Sequence, residues 1–300
     1  MKLMFRNLSL ICGLLAFLLV LSLNACQPGA PNRIVVASKN FTEQVILGEL
    51  VAQQIEAKTG LQVDRRLNLG GTLICHQGIR AGAIDLYVEY TGTALTAVLN
   101  QAPLTNPKQV YQQVKQAYAD QFALEITAPL GFNNTFAMIV RGEDARKFQI
   151  QTLSQAARYS SQWRLGVGPE FSDRPDGLPG LIKSYNLTFA AAPRVMDLGL
   201  LYQALTEKQV DMVAGNATDG LIASLKLVVL QDDRQYFPPY EAVPVIRRQT
   251  LNRHPELGKV LQELGNQISE ADMRRLNYQV DGEKQEVRQV VQAFRQGKGW

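Results

Sequence analysis

Residues 84–93 read IDLYVEYTGT, and they decide how the rest of the chain is interpreted. Apolar and polar residues alternate up to Tyr90, which predicts a strand, and Thr-Gly-Thr then leads into the helix-forming run ALTAVL at 94–99. A strand that stops at a glycine and feeds a helix leaves backbone N–H groups free at the helix start, where an anion is stabilised. Tyr87 and Tyr90 are therefore either packing aromatics or an aromatic wall beside an anion site.

The same order of strand, small or polar residues and helix recurs earlier in the chain. Residues 33–38 and 61–69 are predicted strands, and a helix follows each of them. Asn40 and Glu43 have the spacing of a capping box at the first helix start. This rhythm predicts an α/β sheet covered by helices, in which ligands gather at the carboxyl ends of the strands. The predicted strand ends are 38–40, 70–72 and 89–93.

A second α/β unit follows, with strands predicted at 164–168 and 210–215 and a long charged loop at 169–180. Thr218 and Asp219 have the position of an N-cap before a helix at Leu221. A turn at 130–136 is the predicted first crossing between two lobes. The return crossing is predicted at 236–240, where paired prolines stiffen the chain, and the tail would rejoin the first lobe.

The first 25 residues have the pattern of a targeting segment. Lys2 and Arg6 precede an almost entirely apolar run at 8–21, and Leu-Asn-Ala-Cys ends at Cys26. The apolar run is short for a membrane span, so we predict a lipoprotein signal peptide, with Cys26 lipidated and 26–32 as a tether. An ordinary signal peptide with an accidental cysteine and an uncleaved anchor are the alternatives. We expect an extracytoplasmic location, in the periplasm or at the cell surface, anchored to the membrane by lipid.

These features together predict the fold class, an α/β two-lobe clamshell like a type II periplasmic binding protein. The boundaries we expect are 33–133 plus 239–300 for lobe 1 and 134–238 for lobe 2, with two crossings between them. Such proteins bind a solute in the cleft and close about a hinge. The mature chain of about 275 residues is long enough for this architecture.

Charge and cysteine content argue against several other classes. The net charge is +4, from 31 basic and 27 acidic residues that are interspersed, so we expect no nucleic-acid partner. Cys12 lies in the signal segment and Cys26 is the lipid site, which leaves Cys75 as a small core residue. His76 and His254 lack ligand-spaced partners, so we expect no metal and no cofactor.

One pair of residues raises the possibility of an enzyme. Asp85 and Glu89 would share a strand face and invite a paired-carboxylate mechanism. No nucleophile–base pair, nucleophile elbow or P-loop accompanies them. We therefore predict a binding protein that is not an enzyme, and an extracytoplasmic enzyme on a two-lobe scaffold is the alternative from another class.

A set of motifs spans the mature chain and carries a family resemblance. It consists of SKNFTEQ (38–44), LGGT (69–72), DLYVEYTGT (85–93), GFNN (131–134), PEF (169–171), RPDG (174–177), TD (218–219), DD (232–233), FPPY (237–240) and LNY (276–278). In this order the motifs resemble the substrate-binding proteins of glycine betaine/choline/carnitine-type osmoprotectant ABC importers. The resemblance implies a protein that captures a quaternary-ammonium zwitterion and delivers it to a membrane permease driven by an ATPase. We take a monomer as the default oligomeric state. A sensory role, in which the protein presents its ligand to a membrane receptor, is an alternative within this class of binding protein.

The resemblance also implies the site residues. The family encloses the quaternary ammonium in aromatic rings, and a lysine, a threonine and an arginine hold the carboxylate. By matching motifs, Lys39, Thr93 and Arg174 fall on these three positions, and Tyr90 and Tyr240 fall on two cage tyrosines.

Three further positions bear on the ligand. Asn134 stands where the family often places a polar residue, and Phe136 and Asn216 stand where it has tyrosines. Phenylalanine keeps a π face, whereas asparagine offers only an amide. This favours either a betaine site of low affinity or a ligand with an added polar group, such as ergothioneine or another polar amino-acid derivative. The residues alone also allow a second role for Arg174, in which it pairs with a neighbouring aspartate, Asp173 or Asp176.

Overall fold

The computed structural model describes residues 33–300. The predicted signal peptide, the lipidation site Cys26 and the tether at 26–32 lie outside the described residues. Across 33–300, none of the helices combines the length and the apolar character that crossing a membrane requires.

Two five-stranded sheets organise the described chain. The strands of the first are β1 (Arg33–Lys39), β2 (Gln62–Gly70), β3 (Leu86–Tyr90), β4 (Leu124–Ile126) and β10 (Ala242–Arg247). Their order is β2-β1-β3-β10-β4, with β1 parallel to β3 and β10 antiparallel to both β3 and β4. The strands of the second are β5 (Phe136–Arg141), β6 (Leu165–Val167), β7 (Arg194–Val195), β8 (Met212–Asn216) and β9 (Leu227–Leu230). Their order is β7-β6-β8-β5-β9.

The helices lie between and around these strands. In chain order they are α1 (Thr42–Thr59), α2 (Thr72–Arg80), α3 (Thr91–Thr93, continued by a π-helical turn over Ala94–Val98), α4 (Pro107–Phe122), α5 (Gly142–Phe148), α6 (Leu153–Ala156), α7 (Pro169–Asp173), α8 (Leu178–Tyr185), α9 (Leu201–Thr206), α10 (Leu221–Ser224), α11 (Arg248–Arg253), α12 (Glu256–Glu263), α13 (Glu270–Asp281) and α14 (Val287–Lys298). Short 3-10 turns occur at Ser160–Gln162 and Leu198–Leu200. The predicted loop at 169–180 therefore holds α7 and the start of α8.

Strand β3 shows why the first sheet forms. Leu86, Val88 and Tyr90 join a core beneath α1, α12, α13 and α14, whereas Tyr87 joins a second core on the opposite face with α2 and α4. Alternate residues of a strand point to opposite faces, so a strand covered on both sides carries apolar side chains on both, and the one buried charge of β3, Glu89, is paired with Lys39. Tyr87 is therefore a packing aromatic.

The chain crosses between the sheets twice, as predicted. It leaves the first sheet after β4 and returns before β10. The two crossings lie side by side because Asn133 forms an antiparallel bridge with Glu241. The Asn134 backbone N–H donates to the Tyr240 carbonyl (3.0 Å), and the Tyr240 backbone N–H donates to Asn133 Oδ1 (2.6 Å). Tyr240 is thus held at the junction of the two sheets.

Two predicted helix caps are wrong. Phe41, not Asn40, occupies the N-cap position of α1, and its side chain makes no capping hydrogen bond. Gly220 is the N-cap of α10 in place of the predicted Thr218 and Asp219. The physical reason is the same in both cases: Glu43 and Thr218 hydrogen-bond to each other instead of to their own helix ends, at 2.5 Å. A local pattern does not reveal a partner 175 residues away.

Candidate functional site

A cavity of about 230 Å³ lies where strands of both sheets end. Lys39 and Tyr90 are the last residues of β1 and β3, and Phe136 and Asn216 sit at the paired ends of β5 and β8. The structure brings together all eight residues that the sequence singled out. The cavity is lined by Lys39, Tyr90, Thr93, Asn134, Phe136, Arg174, Asn216 and Tyr240, together with others that were not predicted, among them Phe41, Gly71, Glu170, Phe171 and Leu198.

Most of the lining residues that were not predicted belong to the motifs of the sequence, but they were not identified as site residues. Phe41 belongs to SKNFTEQ, and Glu170 and Phe171 form most of PEF. Leu198 belongs to none of the motifs. It lies in the turn between β7 and α9. Only the chain path places that turn over the cavity.

Aromatic rings form much of the cavity wall. Phe136 meets Phe171 edge-on at a centroid distance of 4.9 Å and Tyr240 at 5.5 Å. Phe41 stacks with Tyr90 at 6.3 Å. Ring faces carry negative electrostatic potential, so such a wall attracts a cation that has no hydrogen-bond donors.

The stretch at 91–93 places Tyr240 in this wall. Thr91 donates its hydroxyl to the Pro239 carbonyl (3.2 Å) and its N–H to the Glu241 carbonyl (3.0 Å). A Cβ on Gly92 would lie 2.6 Å from the Pro239 oxygen and 2.8 Å from a ring carbon of Tyr240. The glycine therefore lets the return crossing pack directly against the end of β3.

Arg174 is buried and paired. Its Nε and Nη2 atoms donate to the two carboxylate oxygens of Asp176, at 2.9 and 2.5 Å, and the Tyr240 hydroxyl donates to the same carboxylate at 2.6 Å. Burial alone would raise the pKa of Asp176, but the hydrogen bonds and charge of Arg174, with the Tyr240 hydrogen bond, hold it below its ordinary value. The guanidinium carbon lies 5.1 Å from the Phe136 ring centroid. Pairing with Asp176 is therefore real, and it leaves other N–H groups of Arg174 for a ligand carboxylate.

Lys39 is also buried and paired. Its ammonium donates to Thr72 Oγ1 (3.0 Å) and forms an ion pair with Glu89, which itself accepts a hydrogen bond from Tyr87. It lies 5.1 Å from the Tyr90 ring centroid. An ammonium has three N–H donors. Two of them bind Thr72 and Glu89, so one remains for a ligand.

The start of α2 is occupied by a carboxylate from the other half of the molecule. Glu170 of α7 accepts the Thr72 N–H (2.5 Å) and the Thr72 hydroxyl (3.1 Å). A Cβ on Gly71 would lie 2.3 Å from a Glu170 oxygen, so a glycine here permits the approach. The sequence predicted that ligands gather at this strand end, and the group bound at the helix start is one of the chain's own carboxylates.

Asn216 lies between this cavity and a neighbouring one. Its backbone N–H donates to Asp219 Oδ2 at 2.9 Å. It lines both this cavity and an adjoining one of about 530 Å³, whose wall includes Glu43, Asp219 and Asp281. A short side chain at this position therefore leaves polar space next to the aromatic wall.

Asp219 gives the folded chain a testable response to pH. Burial raises the pKa of its carboxyl from 3.8 to about 6, against the hydrogen bonds from Tyr202 and Asn216. The folded chain therefore binds this proton more tightly than the unfolded chain. Lowering the pH from 7 to 5 is expected to add about 1 kcal/mol to the free energy of unfolding through this group.

Urea unfolding at pH 7 and pH 5 checks this expectation, with Asp219→Asn as the comparison. The carboxyls of the buried Glu43 and the half-buried Asp281 also have raised pKa values, but they are present in both proteins. The wild-type chain should gain about 1 kcal/mol more than the variant on acidification. Equal gains in the two proteins would contradict the assignment.

The carboxylates that suggested an enzyme are each engaged elsewhere. Asp85 accepts the Val35 N–H (2.9 Å) and the Thr250 hydroxyl (2.6 Å), whereas Glu89 pairs with Lys39. Among the residues that the structure describes, no group of three or more His, Cys, Asp or Glu side chains is placed to hold a metal ion. Cys75 is buried, and burial raises the pKa of its thiol to about 12.

Comparison with known proteins decides the family. The family model described as the substrate-binding domain of ABC-type glycine betaine transport systems, OpuAC, matches residues 32–297. The chain belongs to the OpuAC family. It is thus a substrate-binding component of the betaine and carnitine class of ABC importers, a family of solute-binding proteins. The family resemblance that the motifs indicated is therefore confirmed.

Relatives of this OpuAC-family chain differ in their ligands. The ergothioneine transport permease/ergothioneine binding protein EgtU of Helicobacter pylori is 36% identical over 262 residues, which are 87% of this chain and 47% of that protein. This chain thus spans about half the length of that relative. The glycine-betaine-binding protein of Pseudomonas aeruginosa is 35% identical over 269 residues, 86% of each chain.

A solved structure confirms the fold class. The crystal structure of a glycine betaine/carnitine/choline ABC transporter protein superposes with a TM-score of 0.74 at 34% identity, over 88% of this chain and 98% of that one. The two sheets, their covering helices and the two crossings therefore form the predicted two-lobe clamshell.

Proposed function

We propose that this chain captures glycine betaine or a related quaternary-ammonium zwitterion in the 230 Å³ cavity and passes it to the permease of an ABC importer. One observation carries the proposal: a wall of aromatic rings and two buried cations, Lys39 and Arg174, line the same cavity. A trimethylammonium group has no donors and favours ring faces, whereas a carboxylate favours Arg and Lys. The cavity therefore suits both ends of such a ligand.

The residues take roles that follow from their chemistry. Tyr90, Phe136 and Tyr240 present ring faces to the cationic head. Arg174 and Lys39, with the hydroxyl of Thr93, bind the carboxylate. Asn134 and Asn216 orient the ligand through their amides.

We propose the same lobe boundaries as above, with closure about the two crossings. Glu170 reaching the start of α2 supports this proposal, because Glu170 follows β6 of the second sheet and Thr72 follows β2 of the first. The contact would form as the lobes close over the ligand. We further propose that the chain acts outside the cytoplasm as a lipid-anchored monomer through Cys26 and performs no catalysis.

A thermal-shift panel tests the ligand class. It contains glycine betaine, proline betaine, choline, carnitine, ectoine and ergothioneine, with binding confirmed by calorimetry. A ligand at 100 times its dissociation constant is expected to add about 2.7 kcal/mol, which raises Tm by several degrees. The absence of a shift with every quaternary-ammonium compound would contradict the proposal.

Ergothioneine or another polar betaine is the second candidate. Asn216 and the adjoining acidic cavity favour it, because they offer hydrogen-bonding groups beyond the aromatic wall. Competition calorimetry between glycine betaine and ergothioneine separates the two candidates. The ligand that displaces the other at equal concentration identifies the preferred class.

Asn216→Tyr tests what the missing ring does. We expect this variant to bind glycine betaine about two- to thirtyfold more tightly, because an added ring face contributes about 0.5–2 kcal/mol to a cation. Asn216→Leu is the matched control, since it fills space without a π face. Calorimetric affinities that rise equally in the two variants would contradict a cation–π gain.

A further inference from the structure

Glu43 collects four hydrogen bonds beside the proposed ligand site. It lies in the first turn of α1, and its side chain is 2% exposed. Oε1 accepts from the Tyr90 hydroxyl (2.6 Å) and Asn134 Nδ2 (2.8 Å). Oε2 accepts from the Thr218 hydroxyl (2.5 Å) and Asn277 Nδ2 (3.0 Å). Four donors match the four lone-pair positions of an ionised carboxylate.

These donors come from four separate parts of the chain. Tyr90 ends β3, Asn134 lies in the first crossing, Thr218 follows β8, and Asn277 belongs to α13. Tyr90 and Asn134 line the ligand cavity, whereas Glu43 lines the adjoining one. Any effect of Glu43 on a ligand in the first cavity therefore acts through its neighbours.

The four groups bonded to Glu43 are all neutral. Its negative charge therefore stands behind the Tyr90 ring without neutralisation by a direct partner. A tyrosine hydroxyl that donates to a carboxylate returns electron density to its ring and strengthens the negative potential of the ring face. In a buried setting the carboxylate also attracts a cation across a short distance more strongly than it would in water.

The pKa of Glu43 supports this view. Burial raises it above the ordinary value, and the hydrogen bonds from Thr218, Tyr90 and Asn277 oppose the shift without cancelling it. The negative charge of Asp219 adds to the upward shift of the pKa. A cationic head group in the neighbouring cavity would stabilise the ionised carboxylate and oppose this shift.

We propose that Glu43 is a positioning residue that sets the preference of the site for a cationic over a neutral head group, through the ring it holds and polarises. The inference rests on the proposed function, because it assumes that the head group lies against Tyr90. Under this inference Glu43 affects ligand specificity, in addition to any structural role in stabilising the contact between the lobes. A purely structural role would weaken all ligands alike.

Two probes of equal shape separate these roles. Glycine betaine carries a trimethylammonium head, and 3,3-dimethylbutanoate carries a neutral tert-butyl head on the same carboxylate. Calorimetry on the whole chain measures both dissociation constants for wild type and Glu43→Gln. We expect the variant to lose about tenfold in affinity for glycine betaine and less than about threefold for the neutral probe.

Asp85→Asn is the matched control. Asp85 is also a buried carboxylate that accepts a threonine hydroxyl at 2.6 Å, but it does not line the cavity. We expect this variant to unfold more easily while keeping the wild-type ratio of the two dissociation constants. Glu43→Asp keeps the charge and should retain part of the preference.

Tyr90→Phe gives a second route if Glu43→Gln does not fold. It removes the hydroxyl link and should reduce the preference by a similar factor. In the double variant the two effects should not add, because they act through one contact.

The outcomes separate cleanly. Wild type that binds neither probe, or that binds both equally, overturns this inference. If no quaternary-ammonium compound of the thermal-shift panel binds either, the proposed function is overturned with it. Wild type that prefers glycine betaine, with the same preference in Glu43→Gln, overturns the inference alone. If only Tyr90→Phe folds, an unchanged preference in that variant overturns it.

Discussion

Arg174→Ala is expected to abolish measurable glycine betaine binding and to lower the free energy of unfolding by about 3–5 kcal/mol. Asp176 is fully buried and takes two hydrogen bonds from this guanidinium. Removing Arg174 leaves that carboxylate with hydroxyl partners only, and an unpaired buried charge is strongly destabilising. The same change removes the donors proposed for the ligand carboxylate.

A double variant separates the two effects of Arg174. In Arg174→Ala with Asp176→Asn, no buried charge is left unpaired, so most of the stability should return in urea unfolding. Glycine betaine binding should remain lost, because the carboxylate still lacks its partner. Recovery of binding along with stability would show that Arg174 serves the fold alone.

Tyr240→Ala is expected to reduce glycine betaine affinity at least about tenfold and to destabilise the fold by about 3–5 kcal/mol. The ring is 2% exposed and packs edge-on against Phe136. Its hydroxyl donates to Asp176, and its backbone joins the two crossings. Truncation therefore removes a ring of the proposed cage and opens a cavity where the two crossings meet.

Tyr240→Phe is the matched control for this position. It keeps the ring face and loses only the donor to Asp176, which costs about 1–3 kcal/mol of stability for a buried acceptor. Its calorimetric affinity should stay within a few-fold of wild type. An affinity loss as large as that of the alanine variant would show that the hydroxyl, not the ring, carries the binding.

Much of the fold was predictable from local pattern. The alternation around β3 reflects a period of two that any strand must obey, and the small residues at its end allow the turn into α3. The paired prolines near Tyr240 correctly marked the return crossing. The motif order supplied the site residues, and all eight line one cavity because the topology brings strand ends, the two crossings and the segment after α7 together.

The sequence by itself determined the eight cavity residues that its motifs indicate, but it did not reveal Leu198, which only the chain path brings to the cavity. The sequence allowed the pairing of Arg174 with Asp176, two residues away, but only the tertiary structure decided the distant partners of the other buried charges. Glu43 meets Asn277 across 234 positions, and Glu170 meets Thr72 across 98. These two carboxylates take the donors that the folded chain places within about 3 Å, and that choice depends on the chain path rather than on neighbours in sequence.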